Sequence, residues 1–234
     1  MIYGVALGPG DPELITIKAL RILQQADIIY YPSTINSEGT INSMAYRVLG
    51  SLEIDQSRLK SFEVPMKYDR TDVSGIYQRL AQESILKSRE GQQVAIVSEG
   101  DISFYSTFAY LIDDFKKANV SFEMIPGVPA FILGGSLSQQ AICMQNDNVL
   151  ITPAIDGEAH LTDLLLANET VVIMKVSKIK DWIIPFINTG NYAFFYGEYM
   201  GTDKEYTCTA IAELLGRSIP YFSILIIKSA NNHS

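Results

Sequence analysis

The stretch VALGPGDPELITIKAL, Val5 to Leu20, decides how this sequence folds. A short apolar run ends at Leu7, and helical periodicity follows, with Ile15, Ala19, Ile22 and Ala26 recurring on one face. Between them, Gly8 and Gly10 remove side chains, so the backbone can turn tightly and approach a ligand. Asp11 is placed to cap the next helix, Pro12 suits its first position, and Glu13 complements its dipole. The loop fits neither common phosphate motif. The dinucleotide fingerprint would need a third glycine where Glu13 stands, and the P-loop ending Gly-Lys-Ser/Thr is absent. Glu13 would also direct negative charge at a pyrophosphate. Such a loop suits a ligand that is neutral or cationic at that point, or it is a tight strand-to-helix turn with no ligand.

The same alternation continues along the chain. Apolar, β-rich runs fall at 2–7, 27–31, 94–98, 121–125, 170–176, 192–196 and 221–228. Most are continuous rather than alternating, which predicts strands covered on both faces. Helical patterns lie at 40–49, 73–89, 105–117, 159–167 and 207–215. Alternating strands and helices predict an α/β architecture. The polar break KKANV, Lys116 to Val120, is the candidate boundary, giving domains over 1–118 and 119–234.

Composition narrows the function. The 234 residues suffice for one large or two modest domains. The formal net charge of −8, without basic blocks, argues against a nucleic-acid partner. No run approaches the roughly 18 apolar residues of a membrane span. No basic stretch followed by an apolar run suggests a secretory signal, so a cytoplasmic location is expected. Cys143 and Cys208 form no CxxC pair and read as free, buried thiols. With His160 and His233 as the histidines, neither a His/Cys metal site nor a Ser-His-Asp triad is expected.

Two further stretches, VAIVSEGDISFYSTFAYL (94–111) and EMIPGVPAFILGGS (123–136), join the GPGDP loop in a recognisable order. Together with ADIIYYP (26–32), VVIMK (171–175) and FSILIIK (222–228), they resemble the tetrapyrrole (corrin/porphyrin) methyltransferase family. The segments YYPST, FYSTFAYL and VVIMKV are most similar to the branch that methylates C20 of precorrin-2 or cobalt-factor II. The resemblance implies two α/β domains with a cofactor cleft between them, a homodimer, and S-adenosylmethionine as methyl donor. It implies a fold other than the Rossmann methyltransferase. Pro9, Gly100, Asp101, Phe104, Pro129 and Ala130 match cofactor-lining positions. Met174 matches a contact near the adenosine, and Thr209 a late small residue near the adenine. The sequence departs from the family pattern in three places: Ile102 replaces the usual proline after Gly-Asp, Glu99 stands where a neutral residue is common, and Pro129 replaces Ser or Thr.

Methyl transfer from a sulfonium needs positioning and a place for a proton to go. Glu99 and Tyr105 are candidates for that base, each weighed against an exposed acid and a packed aromatic. Asp101 is expected to orient the turn or the cofactor amine. The implied substrate carries many carboxylates, so Lys67 and Arg70, in a patch with Arg58 and Lys60, are candidates to dock it; Lys175 is another. A nicotinamide- or flavin-dependent oxidoreductase is the rival class, weakened by the missing third glycine. A non-enzymatic corrinoid- or nucleotide-sensing module is a third. Within the family, another ring position or an RNA or diphthamide substrate is the alternative.

Overall fold

The computed structural model describes residues 1–35, 41–64, 73–190 and 192–229. The candidate patch residues Lys67 and Arg70 lie outside the described residues. The chain divides into two compact units, Met1–Pro129 and Ala130–Ser234.

The first unit runs β1 (Ile2–Ala6), α1 (Ile17–Gln25), β2 (Ile28–Ile35), β3 (Ile41–Asn42), α2 (Met44–Gly50), β4 (Leu59–Glu63), α3 (Val73–Arg89), β5 (Val94–Ser98), α4 (Ala109–Lys117) and β6 (Phe122–Ile125). Among the described residues its sheet is ordered β3-β2-β5-β1-β6, with β4 also paired to β2. All pairings are parallel except the short β2–β3 hairpin. Alternate strand residues face opposite sides. Val5, Ile29, Ala95 and Val97 pack with Ala19 and Leu23 of α1 and Val48 and Leu49 of α2. Ile2, Ala6, Val94 and Ile96 pack with Leu80 of α3 and Leu111 and Phe115 of α4. Both faces are covered, which is why these strands read as unbroken apolar runs. Gly4 belongs to this packing: a Cβ there would lie 2.7 Å from the Phe108 ring.

The expected boundary after Ala118 is not where the units divide. Phe122–Ile125 pairs in parallel with Ile2–Val5, so β6 is a strand of the first sheet despite the polar break before it. The opening helix also differs in detail. Asp11 caps a single 3-10 turn, Pro12–Leu14, by accepting from the Glu13 N–H at 2.8 Å. The chain then returns to an extended conformation at Ile15, and Thr16 caps α1 by accepting from the Ala19 N–H at 3.2 Å.

The second unit runs α5 (Ala130–Leu137), β7 (Val149–Thr152), α6 (Gly157–Ala167), β8 (Thr170–Met174), α7 (Lys180–Gly190), β9 (Ala193–Glu198), β10 (Tyr206–Cys208), α8 (Ile211–Leu214) and β11 (Ser223–Lys228). Its sheet is ordered β10-β9-β11-β8-β7 and is mixed, with β7–β8 parallel and the other pairings antiparallel. One face buries Val171, Ile173, Tyr196, Leu225 and Ile227 against Leu161 and Leu165 of α6 and Ile183 and Ile187 of α7. On the other face, Gly134 of α5 lets that helix come close to Phe195 and Ile226. The segment 207–215 is not one helix: Tyr206–Cys208 pairs with Tyr196–Glu198, and the helix starts only at Ile211. Helix α7 contains Pro185, whose missing donor obscured it in the sequence. Cys208 is buried as expected, whereas Cys143 is exposed in the irregular segment between α5 and β7.

Candidate functional site

Strands β1 and β5 lie side by side, yet the chain leaves them in opposite directions. It leaves β1 for β2 through α1 on one face, and β5 for β6 through α4 on the other. In open α/β sheets the carboxyl ends of two such strands mark the ligand crevice. The loops that follow them meet here. The Gly8 N–H donates to the Gly100 carbonyl at 3.2 Å, and the Gly100 N–H to the Gly8 carbonyl at 2.7 Å. Gly8 has φ of 80° and Gly100 of 69°, conformations that L side chains strain to adopt. A third loop closes on the same place. A Cβ on Gly127 would lie 2.6 Å from the Ala6 Cβ and 2.8 Å from the Gly100 carbonyl oxygen. Pro9 and Gly10 are buried beside this junction.

Asp101 ties two of the loops together. Its Oδ2 accepts from the Gly127 N–H at 2.8 Å, and its Oδ1 from the Ser103 N–H at 2.9 Å and the Ser103 hydroxyl at 2.6 Å. Burial alone would raise this carboxyl, but these donors outweigh it and hold it below the ordinary carboxylate value. Ile102, in place of the usual proline, is 2 % exposed and fills the core beneath. Glu99 is half-buried rather than free in solvent. Burial pushes its carboxyl up, against the backbone N–H groups of Ala45 and Glu99 itself. Phe104 and Tyr105 follow on the same turn with rings 4.7 Å apart, and Tyr105 is half-exposed with φ of 51°. The structure therefore brings Pro9, Glu99, Gly100, Asp101, Phe104 and Tyr105 to one end of the first sheet, with Pro129 two residues beyond Gly127. Ser103 joins this cluster as a donor to Asp101, a role the sequence reading did not give it. The Asp-x-Ser spacing, a local side-chain-to-backbone turn, is the signal that finds Ser103.

The cations at 58–60 have structural partners. Arg58 donates to the Ala26 carbonyl at 2.7 Å and the Gln24 carbonyl at 3.0 Å, closing the C-terminal end of α1. Lys60 lies 3.6 Å from Glu83.

In the second unit, Met174 ends β8, and Ala130 begins α5. Met174, Ile224, Gly197 and Thr207 form one row across β8, β11, β9 and β10. Thr209 is exposed, just past the end of β10. Lys175 follows Met174 with φ of 59°, and its Nζ lies 5.6 Å over the Tyr221 ring. Next to the row, Glu198 accepts from the Tyr196 hydroxyl at 2.7 Å and from Arg217 through Nε at 2.7 Å and Nη2 at 2.9 Å. Among the described residues no three His, Cys, Asp or Glu side chains group as a metal site. None of the described helices is long and apolar enough to cross a membrane.

A family model described as tetrapyrrole (corrin/porphyrin) methylases matches residues 1–215. A precorrin-2 C(20)-methyltransferase from Sinorhizobium sp. is 31% identical, over 97% of this chain and 94% of that protein. A cobalt-precorrin-2 C(20)-methyltransferase from Salmonella typhimurium is 25% identical over 75% of this chain and 72% of that one. Solved structures share the fold. A cobalt precorrin-4 methyltransferase superimposes with a TM-score of 0.72 at 19% identity, covering 97% of this chain and 94% of the other. Uroporphyrin-III C-methyl transferase from Thermus thermophilus, complexed with S-adenyl homocysteine, gives 0.66 at 21% identity, covering 97% and 96%. With a family match that spans most of both units, and three glycine loops meeting where that family's motifs stand, this chain belongs to the tetrapyrrole (corrin/porphyrin) methylases.

Proposed function

We propose that the protein is an S-adenosylmethionine-dependent C-methyltransferase acting at C20 of precorrin-2 or cobalt-factor II, in cobalamin biosynthesis. The observation that carries this is the 31% identity along 97% of the chain to a precorrin-2 C(20)-methyltransferase. The loop junction fits the cofactor. It is built from backbone groups of Gly8 and Gly100, whose positive φ disfavours side chains, and of Gly127, where a Cβ would clash. Glu99 and Asp101 flank Gly100 with carboxylates, which suits a sulfonium and an ammonium rather than phosphates. Pro9, Gly100, Asp101, Phe104, Pro129 and Ala130 are the residues assigned to hold it, with Met174 and Thr209 near its adenosine. When bound, S-adenosylmethionine supplies a methyl group on a cationic sulfonium.

The chain's own groups do the rest. Asp101, ionised and fixed by three donors, orients the turn that carries Phe104. Glu99, with its raised pKa, accepts the proton that the methylated carbon sheds. Tyr105 is the alternative acceptor, held in a strained conformation at the same turn. Lys175, beside Tyr221, receives a substrate carboxylate. A homodimer and a cytoplasmic location belong to the same reading, on the family resemblance.

Anaerobic incubation with S-adenosylmethionine and each tetrapyrrole, followed by mass detection, tests the proposal. One added methyl on precorrin-2 or cobalt-factor II is expected. Binding of S-adenosylhomocysteine with no methyl on either would point to a different family substrate. Binding of NADH instead would favour the oxidoreductase reading. In the same assay Glu99→Gln is expected to lose about 10²–10⁴-fold in turnover, and full turnover would remove Glu99 from the mechanism.

A further inference from the structure

We propose that Arg217 is a positioning residue for cofactor binding. With Glu198, Tyr196 and Tyr206 it clamps residues 206–217 in the conformation that receives the adenosine end of S-adenosylmethionine. The inference rests on the methyltransferase reading above and adds a residue distant in sequence from the glycine loops.

The clamp is complete. Glu198 is 5 % exposed, and both of its oxygens are engaged. Oε1 accepts from the Tyr196 hydroxyl and from Arg217 Nε, and Oε2 accepts from Arg217 Nη2. The same guanidinium lies 3.4 Å from the centre of the Tyr206 ring. Arg217 thus grips β9 through its edge and β10 through its face, a combination that a lysine cannot reproduce. With Glu198 buried and the Arg217 side chain 33% exposed, water screens the pair, and it contributes little net stability. What the planar fork adds is geometry.

The elements it ties together need that geometry. Strand β10 is three residues long at the sheet edge, and α8 is four. Elements this short do not hold their own conformation. Thr209 and Ala210, between them, are exposed. The segment is held by its pairing with β9, by Cys208, Ile211 and Leu214 in the core, and by the clamp, which, among the described residues, alone reaches from β9 to both ends of the segment.

The clamp also borders an end of the sheet with the marks of a working surface. Glu198 pairs with Tyr206 on β10 and with Ser223 on β11, one step from the row that contains Met174, Gly197 and Thr207. Tyr199, directly after Glu198, has φ of 45°, and Lys175, directly after Met174, has φ of 59°. Strained non-glycine residues, here at one end of the sheet, cluster at ligand sites.

Calorimetric titration with S-adenosylhomocysteine tests the inference on wild type, Arg217→Met, Arg217→Lys and Tyr206→Leu, with near-UV circular dichroism confirming the fold. Arg217→Met is expected to weaken binding by about 10-fold or more, because ordering that the clamp supplies must then be achieved on binding. Arg217→Lys should fall between it and wild type. In turnover assays KM for the cofactor should rise far more than kcat falls. A folded Arg217→Met with a lowered melting temperature and a wild-type Kd would overturn the proposal, because the pair would then be structural alone. Should Arg217→Met not fold, Tyr206→Leu decides, since it removes the flat face of the clamp and leaves the ion pair intact. An unchanged Kd in that variant overturns the proposal, and a weaker one supports it. Failure of the wild type to bind S-adenosylhomocysteine would overturn the methyltransferase reading, and the clamp's role with it.

Discussion

Glu99 and Asp101 stand on the same turn and titrate in opposite directions. Glu99 loses solvent and keeps few donors, so its carboxyl rises. Asp101 loses solvent too, but three donors from Ser103 and Gly127 reverse the effect. A carboxylate whose pKa is lowered by folding adds stability above its unfolded value, near 4. That stability is lost as pH falls through the lowered folded value. Asp101→Asn is therefore expected to cost about 2–3 kcal/mol at pH 7, the value of charged hydrogen bonds lost to a buried group. The gap to wild type should narrow as pH falls below about 4. Urea denaturation across that range measures both, and a gap independent of pH would show that the ionised form is not what Gly127 and Ser103 hold.

At the scale of elements, the opening loop shows how a cap is read from sequence and where the reading stops. Asp11, Pro12 and Glu13 carry the signals of a helix start, and the structure uses them for one 3-10 turn. The nine-residue helix α1 has its own cap, Thr16. Thr16→Ala is expected to destabilise the protein by about 1 kcal/mol, seen as a lowered melting temperature. Asp11→Ala should cost less, because it frays only a single turn. The reverse order would make Asp11 the cap that matters. Most strands were legible because burial on both faces leaves continuous apolar runs. Strands β3, β4, β7 and β10 were not, because each is short or only partly buried. Strand β10 read as helix since Tyr206–Cys208 is a strand only by pairing with β9, which no local signal announces.

At the scale of the whole molecule, charge sets the approach of the substrate. A net charge of −8 repels a polycarboxylate tetrapyrrole. The repulsion reaches roughly 30 Å at 10 mM salt and about 8 Å at 150 mM. Association of the tetrapyrrole, followed by stopped-flow absorbance, is expected to speed up as salt rises over that range. A rate that falls instead would mean that local cations steer the encounter, and would return attention to Lys67 and Arg70.

The sequence by itself determined the alternation of strands and helices and the positions of the glycine loops. These are local requirements: a period of burial, a backbone free to adopt positive φ, a side chain short enough to cap. Only the tertiary structure decided that Gly8 bridges Gly100, that Asp101 holds the Gly127 N–H, and that Arg58 closes helix α1. It alone joined Glu198 to Arg217 and placed β6 beside β1. Each of these depends on which strands become neighbours and in what register, and the free energy that chooses among neighbours is shared by the whole sheet, not written in any one segment.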